Sequence, residues 1–182
     1  MACDLTLGRK VPCKDVVGGI NRIYFVDYGD LGTLTIDSDD ELTAISGTGV
    51  NAYEYIVKGP NSLEQTITSS RENGTTFFGQ TLNITLTKMT KEDNKQLKLM
   101  AYGRPHIFVQ DRNGNTFLCG ANYGCEVTGG TAVTGAEMGD LNGYTLTFTA
   151  NEQLMALFVS GATTADPFGD LTGITPVVGT NS

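Results

Sequence analysis

The amino-acid sequence predicts a mainly β protein, an antiparallel β-sandwich or barrel with one flanking α-helix and a long hairpin. Three observations predict it. Thr81-Leu82-Asn83-Ile84-Thr85-Leu86-Thr87 alternates polar and apolar residues without a break, and Tyr144-Thr145-Leu146-Thr147-Phe148-Thr149 repeats the pattern around the same Thr-Leu-Thr core. Neighbouring side chains on a strand point to opposite faces, so this period buries one face and leaves the other free. The chain carries 23 Gly but only 5 Pro, a balance that favours tight turns over rigid linkers. At 182 residues it is long enough for one domain with a real core.

Residues 1 to about 17 read as an arm, because Pro12 breaks any long element there. Gly18-Gly19 then precede Ile20 to Tyr28, whose apolar run Ile23-Tyr24-Phe25-Val26 suits a core strand. Gly29-Asp30 and Gly32 mark a turn before the strand Thr33 to Ile36. Asp37-Ser38-Asp39-Asp40-Glu41 opens a solvated loop that extends to Gly49. It lacks the central glycine and the distal glutamate of a calcium loop.

Alternation resumes from Ala52 to Lys58, and Gly59-Pro60-Asn61 turns the chain. Ser62 to Ser70 follows, with Leu63, Gln65 and Ile67 on one side. Asn73-Gly74 is a strong hairpin signal, and Thr75 to Lys88 returns as a partner strand. These strands exceed the usual length of about five or six residues. A long hairpin with a polar outer face is suited to pairing beyond its own domain, so Leu63, Gln65, Ile67, Phe77, Phe78, Leu82, Ile84 and Leu86 form a candidate subunit interface.

The single helix starts at Thr90, an N-cap residue with Asp93 three positions on, and Leu97, Met100 and Ala101 recur at helical spacing. Gly103 is expected as its C′ residue, and Arg104-Pro105 stops continuation. His106-Ile107-Phe108-Val109 and Thr116 to Cys119 form strands around the turn at Asp111 to Gly114. Gly129 to Gly135 reads as a flexible linker, since it lacks the Lys-Ser/Thr ending of a phosphate loop. Met138 to Gly143 leads into the last strong strand. The β-rich domain is thus expected to cover 1–160, and 161–182 to be a loosely held tail whose Phe168, Leu171, Ile174, Val177 and Val178 dock on a neighbour.

Charge and motif narrow the function. A net charge of −8 disfavours a direct grip on nucleic acid, because phosphate contacts need clustered Lys and Arg. It is compatible with DNA as a cargo that must not stick. The crowded acids Asp37, Asp39, Asp40 and Glu41 are candidates for ring stacking or for lining a channel. The lone His106 has no signposted nucleophile or orienting acid and is expected to be structural. Cys3, Cys13, Cys119 and Cys125 form no Cys-x-x-Cys pair and are expected as buried or half-buried free thiols. We expect no enzyme activity, cofactor or metal. No apolar run approaches the roughly 20 residues of a membrane helix. The first residues lack a secretory layout, which predicts folding in a cytoplasm and no membrane partner.

Thr85-Leu86-Thr87-Lys88-Met89-Thr90-Lys91-Glu92-Asp93 with Leu97 to Met100, His106 to Gly114, Gly129-Gly130-Thr131, and Gly139 to Thr147 together resemble a known group. The opening Met1-Ala2-Cys3, Gly8-Arg9 and Pro12-Cys13-Lys14-Asp15 fit it as well. The chain is similar to virion structural proteins of tailed phages of Bacteroidetes and marine bacteria, of the tail-tube-like kind. The resemblance implies a β-sandwich or barrel with one helix, a long hairpin and an arm. It further implies six-fold rings of identical subunits, stacked into a DNA conduit among other virion proteins after assembly in the host cytoplasm. In that setting the arm at Cys3 to Lys14 and the Asp37 to Gly49 loop would clasp the next ring. Neck or tail-terminator rings and a capsid decoration protein are the alternatives within a virion. A carbohydrate-binding module, using Tyr53, Tyr55 and Tyr123 because the chain has no Trp, is the alternative outside it.

Overall fold

The computed structural model describes residues 7–179, so Cys3 and the first part of the arm lie outside the described residues. In chain order the elements are β1 (Ile20–Val26), β2 (Leu34–Ile36), β3 (Glu41–Ile45), β4 (Val50–Ile56), β5 (Ser62–Ser70), β6 (Thr75–Thr87), α1 (Lys91–Tyr102), β7 (His106–Asp111), β8 (Thr116–Cys119), β9 (Glu126–Val133), β10 (Gly143–Glu152), β11 (Leu157–Val159) and β12 (Ile174–Val177). They build an eight-stranded sheet, β12-β4-β1-β7-β8-β11-β3-β2, and a four-stranded sheet, β5-β6-β10-β9. Pairing is antiparallel except between β11 and β3 and between β12 and β4. The protein is therefore mainly β, with one helix and a long hairpin.

Two adjacent interior strands of the large sheet explain the arrangement of the interior. β1 and β7 are buried on both faces, so their sequences run apolar without alternation. Ile23, Phe25, Ile107 and Val109 face the small sheet and meet Leu82, Ile84 and Phe148 in a first core. Tyr24, Val26 and Phe108 point the other way, into a second core with Leu42, Leu118, Leu157 and Val159. The large sheet thus packs on a partner sheet with one face and encloses its own apolar filling with the other.

Three expectations are corrected here. The C-terminal stretch is no loose tail: Phe168 and Leu171 are buried in the second core, and β12 pairs with β4. Its Phe168 touches Tyr24 and Phe108 of this same chain, so it is unavailable to a neighbour. The Gly129 stretch is no linker but belongs to the edge strand β9; a Cβ at Gly130 would lie 2.6 Å from the Thr145 carbonyl oxygen, and the glycine permits that approach. The Asp37 to Gly49 segment is not a free loop, because it contains β3, and Leu42 is fully buried.

The helix keeps its expected start. The Thr90 hydroxyl oxygen accepts the Asp93 N–H at 3.1 Å and donates to the Asp93 carboxylate at 2.7 Å. The Tyr144 hydroxyl on β10 donates to Asn94 Oδ1 at 2.7 Å and ties the first turn to the sheet. Its end differs. Gly103 is extended (φ −93°) rather than left-handed, and its N–H closes on the Leu99 carbonyl. No residue of α1 is fully buried: Leu97 and Met100 are half-buried, and Ala101 is exposed rather than facing the sheet. Among the described residues no helix is long and apolar enough to cross a membrane.

Candidate functional site

The β5–β6 hairpin outruns the sheet that carries it. β6 pairs with β5 from Thr75 to Asn83, but β10 joins β6 only from Phe78 onward. Register places Leu63 opposite Leu82, Gln65 opposite Gln80, and Ile67 opposite Phe78 on one face. That face begins in the first core and runs outward into solvent. Leu82 and Ile84 are buried, and Leu63 and Leu86 pack against them. Gln65 Oε1 accepts the Ala156 N–H at 2.7 Å, while Gln80 Nε2 donates to the Leu154 carbonyl. Leu63, Gln65, Leu82, Ile84 and Leu86 therefore serve their own chain, a correction to the predicted interface. Ile67 (66% exposed), Phe77 on the opposite face and the half-buried Phe78 remain open to a partner.

The outer face of the small sheet is a field of small hydroxyl side chains. Thr145 pairs with Thr85 and Thr131, and Thr149 with Thr81. The Thr131 and Thr145 hydroxyls are 2.7 Å apart, and the Thr147 hydroxyl donates to Asn83 Oδ1 at 2.9 Å. No Lys or Arg occurs in β5, β6, β9 or β10. Both outer strands, β5 and β9, present an unpaired edge.

The acidic cluster sits elsewhere, on the β2–β3 turn at the far edge of the large sheet. Asp37 Oδ1 accepts the backbone N–H groups of Asp39 and Glu41, both at 2.9 Å, and Asp40 takes a left-handed φ of 59°. Asp37 thus closes the turn itself, while Asp39 and Asp40 stay exposed and Glu41 is half-buried.

The interior polar groups are fasteners. The Gly29 N–H donates to His106 Nε2 at 3.3 Å, so the ring proton resides on Nδ1 and is donated to the Gly120 carbonyl at 2.7 Å. Burial holds the pKa of His106 below its ordinary value, against the Gly120 hydrogen bond and the Glu152 and Asp30 charges. Tyr28 stacks on the imidazole, and Arg104 covers Tyr28 at 4.4 Å. Glu152 Oε1 accepts the N–H groups of Asn122 and Tyr123, while its Oε2 is buried without a protein partner. Gln80 Oε1 accepts the Gly120 N–H at 2.9 Å. Together these bonds pin the Gly120–Gly124 turn to the β-domain. Both nitrogens of His106 are spent on backbone, the structural role expected of it.

Cys13 is exposed, a correction to the expected burial, whereas burial raises the thiol of Cys119 to about 12 and that of Cys125 well above its usual value, which favours the protonated form of both. Among the described residues no cluster of His, Cys, Asp and Glu is fit to hold a metal ion. Of the tyrosines weighed for glycan stacking, Tyr53 and Tyr55 line an open cleft of about 820 Å³ beside α1, and Tyr123 lies outside it. Burial, then the nearby Asp93, raises the Tyr55 hydroxyl to about 12. Alternation places the hairpin side chains, Gln65 among them, on their faces; it does not single out the buried Gln80 and Glu152. No family model, curated protein or solved structure matches this chain.

Proposed function

We propose that the chain is a structural subunit of a phage virion, assembling into stacked rings of the tail tube that enclose a channel for DNA. The observation that carries the reading is that both edges of the small sheet are open; its hairpin projects past its neighbour strand, and its strands hold no Lys or Arg. Open edges are satisfied when identical subunits add their strands, and ring closure leaves none exposed. The exposed Ile67 and the half-buried Phe78, at the base of the projecting hairpin, supply the apolar contact that a free hairpin otherwise wastes on water. A channel wall of threonines, with no Lys or Arg, offers passing phosphates no ionic hold.

The acids Asp37, Asp39, Asp40 and Glu41 belong to a different edge, which suits contact between rings better than the wall of the channel. Native mass spectrometry of concentrated protein, with negative-stain microscopy, tests the reading. Rings with an axial hole and a mass of several subunits support it. Trimers or monomers that bind only to capsid shells would favour a decoration protein instead, and a strict monomer would refute any ring.

A further inference from the structure

We propose that Asn73 is a modification site: in the folded chain its side chain cyclises onto the Gly74 nitrogen and opens to aspartate or isoaspartate. This chemistry is independent of the assembly proposed above. Asn-Gly pairs occur at Asn73-Gly74, Asn113-Gly114 and Asn142-Gly143. A glycine after asparagine opposes cyclisation least, because it has no Cβ to crowd its nitrogen and leaves the backbone free to turn. The dipeptide is the same at all sites, and the fold separates them.

Two of the pairs are held. Asn113 Oδ1 accepts the Val17 N–H at 3.0 Å, and its Nδ2 donates to the Val17 carbonyl at 2.8 Å and to Asp111 Oδ2 at 3.2 Å. Asn142 Oδ1 accepts the Met89 N–H at 3.1 Å, and its Nδ2 donates to the Thr134 carbonyl at 3.4 Å. These bonds must break before either Cγ can swing onto the main chain. Their glycines are closed in as well. Gly114 and Gly143 are buried; a Cβ on Gly114 would lie 2.9 Å from Thr164 Oγ1, and one on Gly143 would collide with the Leu86 carbonyl. The peptide there has no room to rotate.

Asn73 has neither restraint. It is exposed in the turn that joins Ser70 to Thr75 at the tip of the β5–β6 hairpin. Its backbone N–H donates to Ser70 Oγ at 3.2 Å, but its side-chain amide has no protein partner among the described residues. Gly74 is exposed at a φ of 62°, and a Cβ there would meet nothing within 4 Å. The Asn73 Cγ can therefore reach the Gly74 nitrogen at no cost in broken contacts.

In the reaction the Gly74 nitrogen loses its proton to hydroxide and bonds to Asn73 Cγ. The Cγ–Nδ2 bond breaks, and Nδ2 leaves as ammonia with a proton from water. Water then opens the cyclic imide. Opening at Cγ gives aspartate; opening at the main-chain carbonyl gives isoaspartate, with an extra methylene in the backbone of the turn. Either product places a new negative charge beside Glu72, at the end of the hairpin that β10 does not pair.

Peptide mapping by tandem mass spectrometry, after incubation of the dilute native protein in warm, mildly alkaline buffer, tests this. Amide-to-acid exchange at Asn73, read in the tryptic peptide Glu72–Lys88, is expected at least about tenfold faster than at Asn113 or Asn142, a barrier difference of ~1.4 kcal/mol. Isoaspartate accompanies aspartate at position 73, the mark of the imide. In urea the rates at these sites converge to within about threefold, because unfolding removes the bonds and the crowding. Asn73→Gln, whose longer side chain closes the ring poorly, silences the peptide. Exchange at Asn113 or Asn142 as fast as at Asn73 in the folded chain overturns the proposal. So does aspartate without isoaspartate at position 73, or a tenfold gap that persists in urea.

Discussion

Replacing Phe168 with alanine probes whether the stretch after β11 is part of the core. The ring is 4% exposed and lies edge-on to Tyr24 at 5.0 Å and to Phe108 at 5.3 Å. Those partners sit on β1 and β7, interior strands of the large sheet that are hydrogen-bonded on both sides. They cannot move in to fill the space, so the cavity persists and the full cost of about 3–5 kcal/mol for Phe→Ala applies. Two aromatic contacts account for roughly 1–3 kcal/mol of that total. At about 2–4 °C per kcal/mol for a domain of this size, Phe168→Ala lowers the Tm by roughly 6–20 °C. The chain has no Trp, so urea and thermal unfolding are followed by far-ultraviolet circular dichroism. Val178→Ala, at a residue 63% exposed, serves as the control and stays within about 0.5 kcal/mol. A Phe168→Ala protein less than about 1 kcal/mol below the parent would refute a packed second core.

Further outcomes follow from the same geometry. Burial holds the folded-state pKa of His106 below 6.5, so the unfolded chain takes up that proton first. The stabilisation is complete above pH 6.5 and is lost as pH falls through the folded-state pKa; the fall in the urea midpoint between pH 7.5 and 5.5 is therefore shallower in His106→Gln than in the parent. An equal fall in both would contradict a neutral buried imidazole. Iodoacetamide labelling read by mass spectrometry modifies Cys13 in the native chain and reaches Cys119 and Cys125 only after denaturation, because both are buried with raised pKa values. Fast native labelling of either would contradict the fold. Ile67→Asp leaves unfolding stability within about 0.5 kcal/mol, since the residue is 66% exposed, yet abolishes assembly by charging the hairpin's apolar face. Sedimentation velocity of the variant checks this, and persistence of rings would exclude the hairpin as an interface.

Local rules carried most strands and the helix start, because they depend on neighbours in sequence. Thr90 caps α1 as its residue type and the following Asp93 require. Asn73-Gly74 turns the long hairpin, with Gly74 at a φ of 62°. What escaped was decided at long range. Gly129 and Gly130 have poor strand propensity, but β10 offers them a ladder, and backbone proximity at Thr145 favours the absent side chain. Phe168 and Leu171 lie among Gly, Asp and Thr without any period, and only the opposite face of the large sheet gives them a place. The same face explains why Leu42 turned an expected loop into β3. Alternation correctly put the hairpin's apolar residues on one face, yet could not say where the core ended along it. Leu82 lies inside that boundary and Ile67 beyond it.

The central claim is that the open edge of β5 is completed by a sister copy. Amide hydrogen exchange across Ser62–Ser70 tests it most directly, comparing the parent at high concentration with the same protein diluted and with Ile67→Asp. Outward N–H groups of an edge strand exchange freely in a lone subunit and slow once another strand pairs with them. The account predicts protection of these amides that rises with concentration and is missing from Ile67→Asp. Identical exchange in all three samples would contradict it.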